Sequence, residues 1–171
     1  LVATELETPK SIVLPHEDYL PYNKSNPTEK FLCTPQYYIY WKNDGEAVRA
    51  YKKNGPWYLH GVGGDSFFKK EGITWSLVAS KISAKYLPPG FILDSGAPVA
   101  VLKPQTDEDE LWFILGWLWT EKSTSILKTV INHTRNIQSK DIERLPYPSW
   151  VKDHDKRSII SLVQSVITKV T

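Results

Sequence analysis

KEGITWSLVASKISAKYLPPGFILD, residues 70–94, decides the fold. Three short runs of apolar and β-branched residues begin within it, GITWSLV, SAKYL and GFILDS, the last ending at Ser95. Ser80-Lys81 and Pro88-Pro89-Gly90 divide them. Short apolar runs cut by Ser, Pro and Gly predict strands joined by turns, not one helix. APVAVL, residues 97–102, extends the β reading to residue 102. Upstream, Tyr37–Trp41 (YYIYW) reads as a short buried strand from its aromatic and β-branched content. Asn43-Asp44-Gly45 follows as a turn, with Asn43 or Asp44 capping a short helix through Tyr51. Residues 1–36 are rich in Pro and Asn and read as irregular. Residues 54–65, rich in Gly and aromatics, read as a loop or irregular hairpin.

Downstream the period changes. Thr106 followed by Asp109 fits a capping box, and Asp107–Glu110 places acid where a helix N-terminus favours it. LWFILGWLW, residues 111–119, then predicts a buried helix. TEKSTS should break or kink it before SILKTVI makes a second helical stretch. Arg144-Leu145-Pro146-Tyr147-Pro148 must leave the helix, because proline lacks the donor and restricts its predecessor. Ile159, Ile160, Leu162, Val163, Val166, Ile167 and Val170 draw one stripe on an amphipathic helix. The fold expectation is therefore α+β. A small, twisted, mostly antiparallel sheet or partial barrel packs against the helices of 107–131, with the C-terminal helix at one edge. Residues 1–148 form one domain and residues 149–171 the terminal helix.

The chain has 171 residues, enough for one domain with a hydrophobic core. It lacks any run of about 18 apolar residues, so no membrane span is expected. No basic-then-apolar leader is present at its start. A single cysteine, Cys33, suits a reducing cytoplasm. Four scattered histidines and one cysteine give no zinc spacing, so no metal is expected. The absence of methionine reads as a piece of a longer protein. Net charge is only +2, but basic residues gather locally: Arg49, Lys52 and Lys53; Lys69 and Lys70; Lys81 and Lys85; Lys122, Lys128, Arg135 and Lys140. A basic face for nucleic acid is possible without a basic total.

Several chemistries lack their residues. No Asp or Glu has Lys two positions on, which removes one common metal-dependent nuclease pattern. Adenine methylation needs an Asn/Asp-Pro-Pro-aromatic tetrad, and the nearest string, Asn26-Pro27-Thr28-Glu29, fails it. Gly61-Val62-Gly63-Gly64-Asp65 is a weak candidate for a cofactor turn and reads better as a flexible loop. No nucleophile-elbow string occurs.

Three ordered stretches go beyond composition. They are Tyr38–Glu46 (YIYWKNDGE); Lys70–Ser76 with Lys81–Asp94; and Asn132–Ile142 (NHTRNIQSKDI) leading to Arg144-Leu145-Pro146. Together they resemble the C-terminal specificity region of large adenine-specific DNA methyltransferases, such as type IIG restriction-modification enzymes and the methylase of BREX phage defence. In that family the second stretch looks like EGITWS then SARYLPKGFIFD, and the third like NPTLNFQVGDI. The resemblance covers about residues 19–148. His133, Arg135 and Lys140 stand where the family usually has Pro, Leu and Gly. The resemblance implies a non-catalytic target-recognition domain that binds double-stranded DNA. The catalytic domain and its S-adenosylmethionine would sit elsewhere in the same parent, which methylates adenine at N6 and cleaves if fused to a nuclease.

Candidate DNA-contacting residues follow. Lys81, Ser83 and Lys85 alternate, so on a strand they share one face, either a contact ridge or a solvated one. Asn132, His133, Arg135, Asn136 and Gln138 cluster between a helix and a strand, and Lys128 precedes them on the helical stretch. Arg suits guanine, and Asn or Gln suits adenine. Asn136 and Gln138 could equally tie the loop's own backbone. Arg49, Lys52 and Lys53 complete the set, and the 53–70 stretch is a candidate specificity loop. Trp75 and Phe91 read as core, and Asp94 and Asp141 as turn braces. Trp112, Trp117 and Trp119 read as core or as an interface; the latter supports an alternative, a module that docks a partner subunit through a Trp-rich face.

Overall fold

The computed structural model describes residues 2–3, 17–50 and 64–170. The described residues hold eight short strands: β1 (Val2–Ala3), β2 (Tyr19–Asn23), β3 (Phe31–Leu32), β4 (Tyr37–Tyr40), β5 (Gly72–Thr74), β6 (Lys85–Leu87), β7 (Ile92–Leu93) and β8 (Val99–Ala100). Helix α1 (Lys42–Ala50) lies between β4 and β5. Then come α2 (Asp109–Leu118), α3 (Glu121–Ile126) running into a π-helical turn (Leu127–Ile131), α4 (Ser139–Glu143) and α5 (Asp153–Val170). The class is α+β. No helix among the described residues is long and apolar enough to cross a membrane.

The strands form two four-stranded sheets, ordered β1-β4-β2-β7 and β3-β6-β5-β8. Most pairs are antiparallel, but β2 with β7 and β3 with β6 are parallel. The Pro88-Pro89-Gly90 corner, with Gly90 at φ +101°, sends β6 and β7 into different sheets. In β2, Pro21 lacks a donor, and the pairing with β7 begins beyond it, at Tyr22 and Asn23. Residues 17–36, read as irregular, therefore supply two strands: β2 pairs with nearby β4 and distant β7, and β3 pairs with distant β6.

Buried polar groups join the sheets. The Asn23 amide donates to Thr74 Oγ1 at 3.0 Å, and the Thr74 hydroxyl donates to the Pro98 carbonyl at 2.9 Å. Both side chains are nearly inaccessible, so these bonds offset their desolvation. Asp94 braces its turn by accepting from the Gly96 N–H at 2.7 Å. The main apolar core gathers Ile73, Trp75, Leu111, Leu115, Leu127 and Ile137 between the second sheet and the helices. Trp75 and Phe91 are core residues, as read from sequence.

Local details differ from expectation for simple reasons. Asn43-Asp44-Gly45 is a turn before the helix, as read from sequence, but of an uncommon kind; Tyr51, where the helix reading ended, lies outside the described residues. Asn43, Asp44 and Gly45 all lie in the left-handed region, at φ 51°, 54° and 77°. These are the residue types that tolerate it. The Thr106–Asp109 capping box does not form, because α2 starts at Asp109; Asp107 instead accepts from the Asp109 N–H at 3.0 Å. The helix break falls at Trp119-Thr120. Thr120 caps α3 by accepting from the Ser123 N–H at 3.1 Å, so most of TEKSTS is helical.

Helix α5 buries Ile160, Val163 and Ile167. Its approach to α2 is close: a Cβ on Gly116 would stand 2.8 Å from Ile159 Cγ2. Leu162 and Val170 remain exposed, so the stripe is wider than the surface it covers.

Candidate nucleic-acid interface

The link between the two halves of the second resembling stretch meets the third stretch here. Leu77–Ala79 runs antiparallel to Arg135–Ile137, with Val78 opposite Asn136. The Ala79 N–H donates to the Arg135 carbonyl at 2.8 Å, and the Ile137 N–H to the Leu77 carbonyl at 2.6 Å. Those bonds flank the Val78–Asn136 pair instead of joining it, which makes it the narrow, non-hydrogen-bonded kind. The ribbon is anchored from below. Ile137 is fully buried, and the Trp75 indole donates to its carbonyl at 3.0 Å.

The 132–138 loop is tied to itself. Asn132 donates to the Asn136 carbonyl at 2.7 Å and to Asp141 Oδ2 at 2.6 Å. Its own oxygen accepts from the N–H and hydroxyl of Thr134. Asp141 also accepts from the Gln138 N–H at 2.8 Å, so it braces the turn into α4 as read from sequence. Lys128 Nζ donates to the carbonyls of Thr134, at 2.6 Å, and Ala79, at 3.3 Å. Burial lowers its pKa, and Asp141 opposes that shift. His133 Nδ1 lies 2.8 Å from the Lys128 carbonyl. A carbonyl accepts only, so Nδ1 carries the proton and Nε2 is left as an outward acceptor in the neutral ring.

The expected contact residues thus divide. Arg135 and Asn136 are exposed, and neither side chain has a protein partner among the described residues. Lys81 is exposed on the adjacent segment. Gln138 is exposed and lines a cavity of about 490 Å³ with Leu77, Pro98 and Lys140. Asn132 and Lys128 spend their polar atoms holding the loop.

The shared face of Lys81, Ser83 and Lys85 is a correction. The strand begins only at Lys85, so alternation does not run from residue 81. Ser83 Oγ accepts from the Ser76 N–H at 3.1 Å. Lys85 is 1% exposed, and its ammonium donates to the Asn26 carbonyl at 2.8 Å and to Glu29 at 3.0 Å. It is an internal ion pair, not a solvated contact. Lys81 and Ser83 instead line a cavity of about 550 Å³ with Lys30, Phe31 and Trp119.

Arg49 belongs to the left-handed turn. It donates to the Asp44 carbonyl at 2.8 Å and to Asp44 Oδ2 at 3.2 Å, and it lies over the Trp41 ring. Lys52, Lys53, most of the 53–70 stretch and the glycines at 61 and 63 lie outside the described residues.

The tryptophans also divide. Trp112 packs on Tyr86, and the Trp119 indole donates to the Ala84 carbonyl at 3.0 Å. Trp117 meets Trp150 edge to face and, with Leu162 and Val166, lines an apolar groove of about 440 Å³.

Sequence reasoning missed Val78, which is 63% exposed beside Asn136. Its run of apolar neighbours reads as core, and only the pairing with residue 136 turns it outward.

No family model matches the chain. It is similar to the adenine-specific methyltransferase PglX of Lacticaseibacillus casei (strain Zhang), 33% identical over 153 residues, 88% of the chain. It is also similar to the adenine-specific methyltransferase BrxX of Escherichia coli O9:H4 (strain HS), 27% identical over 129 residues, 75% of the chain. The chain spans 12% and 10% of the lengths of these two relatives.

Proposed function

We propose that this chain is the target-recognition part of an adenine-specific DNA methyltransferase of a restriction-modification or phage-defence system. It grips double-stranded DNA and reads its sequence, and methyl transfer to adenine N6 takes place on another part of the same polypeptide. Cleavage is added where that parent carries a nuclease. The similarity to two adenine-specific methyltransferases supports the class. One observation supports the DNA reading: a ribbon locked by Trp75, Asn132 and Asp141 leaves Arg135 and Asn136 exposed, with no side-chain partner among the described residues. Base edges demand such a rigid frame with unspent donors and acceptors.

S-adenosylmethionine is expected in the parent. Among the described residues no strand opens onto a glycine-rich turn backed by a helix, so these residues do not fit that cofactor. Such a protein would act in the cytoplasm, where its DNA lies.

The test is a binding titration of the full-length parent against duplex DNA. Arg135→Ala should cost about 1–3 kcal/mol and relax preference at one position. Lys81→Ala should weaken all sequences alike and reduce the salt slope by about one. No effect from either change sinks the reading.

A second reading rests on the groove of Trp117, Trp150 and Leu162: a surface that docks a partner subunit or the catalytic domain. Salt-insensitive, sequence-independent behaviour toward DNA alongside tight partner binding would favour it.

A further inference from the structure

The outward face of the ribbon pairs an amide with an isopropyl group. Val78 and Asn136 are directly opposed in a non-hydrogen-bonded site, where facing side chains come closest and point to the same side. Val78 is 63% exposed, and Asn136 is exposed. The Asn136 main chain is engaged by Asn132 and Thr134, which fixes the residue, yet its side-chain amide has no partner among the described residues.

That combination has a specific counterpart. A carboxamide pairs with the N6 amino group and N7 of adenine, and an apolar group packs on the C5 methyl of thymine. Both features lie on the major-groove edge of one A·T pair, and a two-stranded ribbon fits that groove. A G·C pair offers no methyl. It would put the guanine O6 acceptor before the amide oxygen and offer Val78 only the cytosine C5–H.

We propose that Val78 and Asn136 together read one A·T base pair. Asn136 accepts from adenine N6–H and donates to N7, and Val78 covers the thymine methyl. This assignment rests on the DNA-reading function proposed above and names the base pair it selects.

The experiment uses the full-length protein that carries this chain. A preferred duplex is first selected from a randomised library. Each thymine is then replaced by deoxyuridine, which removes only the methyl, and each adenine by 7-deazaadenine, which removes only N7. At one A·T pair, deoxyuridine should lower wild-type affinity about fourfold, as for loss of one buried methyl group. Val78→Ala should bind thymine and deoxyuridine duplexes alike at that position. The 7-deazaadenine loss should appear at the same pair and vanish in Asn136→Ala. A selected site at which no deoxyuridine matters, or at which Val78→Ala keeps the wild-type preference for thymine, overturns the assignment and leaves DNA reading intact. If the library yields no preferred duplex, the underlying function fails and the assignment with it. Circular dichroism of both variants, expected to match wild type because both side chains are exposed, separates lost contacts from lost fold.

Discussion

The Trp75 indole N–H donates to the Ile137 carbonyl at 3.0 Å, and both residues are buried. The core thereby holds the ribbon whose outer face carries Asn136. Trp75→Phe keeps an aromatic ring but leaves that carbonyl unpaired. Stability should fall by about 1–3 kcal/mol in urea unfolding. Amide exchange at Ala79 and Ile137 should rise with it. Unchanged exchange at those two amides would show that the indole does not support the ribbon.

Lys85 and Glu29 form a buried ion pair at 3.0 Å, with side-chain exposures of 1% and 11%. Lys85→Met strands the carboxylate. Removing one partner of a buried pair costs about 3–5 kcal/mol. Glu29→Gln in that background should recover part of the loss. If instead Lys85→Met leaves stability unchanged and flattens the salt dependence of DNA binding, the lysine faces DNA as its sequence position first suggested.

These two cases mark what the sequence makes legible. Helices α2 and α5 were readable because a helix displays its buried face at a local period, and Pro146 and Pro148 act where they stand. The β character of 72–100 was readable from its Pro and Gly breaks. Its split into two sheets was not, because pairing is non-local: β3 meets β6 across more than 50 residues. Lys85 looked like a surface cation because its partner Glu29 lies 56 residues away. In the loop, the types of Asn132 and Asn136 were alike in sequence. Only the positions of Thr134 and Asp141 decide that the first amide is consumed and the second is not.

Cys33 is buried beside the same ion pair. Burial first and Glu29 second push its thiol up to about 12, with Lys85 opposing. The native thiol therefore stays protonated at pH 8, where iodoacetamide should modify it only as fast as the protein opens. The unfolded thiol ionises near its ordinary value of 9.0, before the native one. The unfolded state then binds fewer protons than the native state, so stability should fall as pH rises from about 9 toward 12. Below 9 both states hold the proton and this group contributes no slope. Rapid alkylation of native protein at pH 8, independent of denaturant, would contradict the burial.

Gly45 completes three consecutive left-handed residues at φ +77°. A Cβ there would stand 2.9 Å from three ring atoms of Trp41. That indole cannot retreat easily, because its N–H donates to Asp44 Oδ1 at 3.2 Å and Arg49 covers its ring. Gly45→Ala therefore meets both a backbone penalty of about 1–2 kcal/mol and a steric clash. Unfolding followed by tryptophan fluorescence should show a loss above that backbone figure. Asn43→Gly removes a side chain from the same turn at φ 51°, where glycine is at ease, and should cost little beyond its Glu46 contact. Equal losses for the two substitutions would mean that the turn's shape, and not the fit of Gly45 against Trp41, governs this corner.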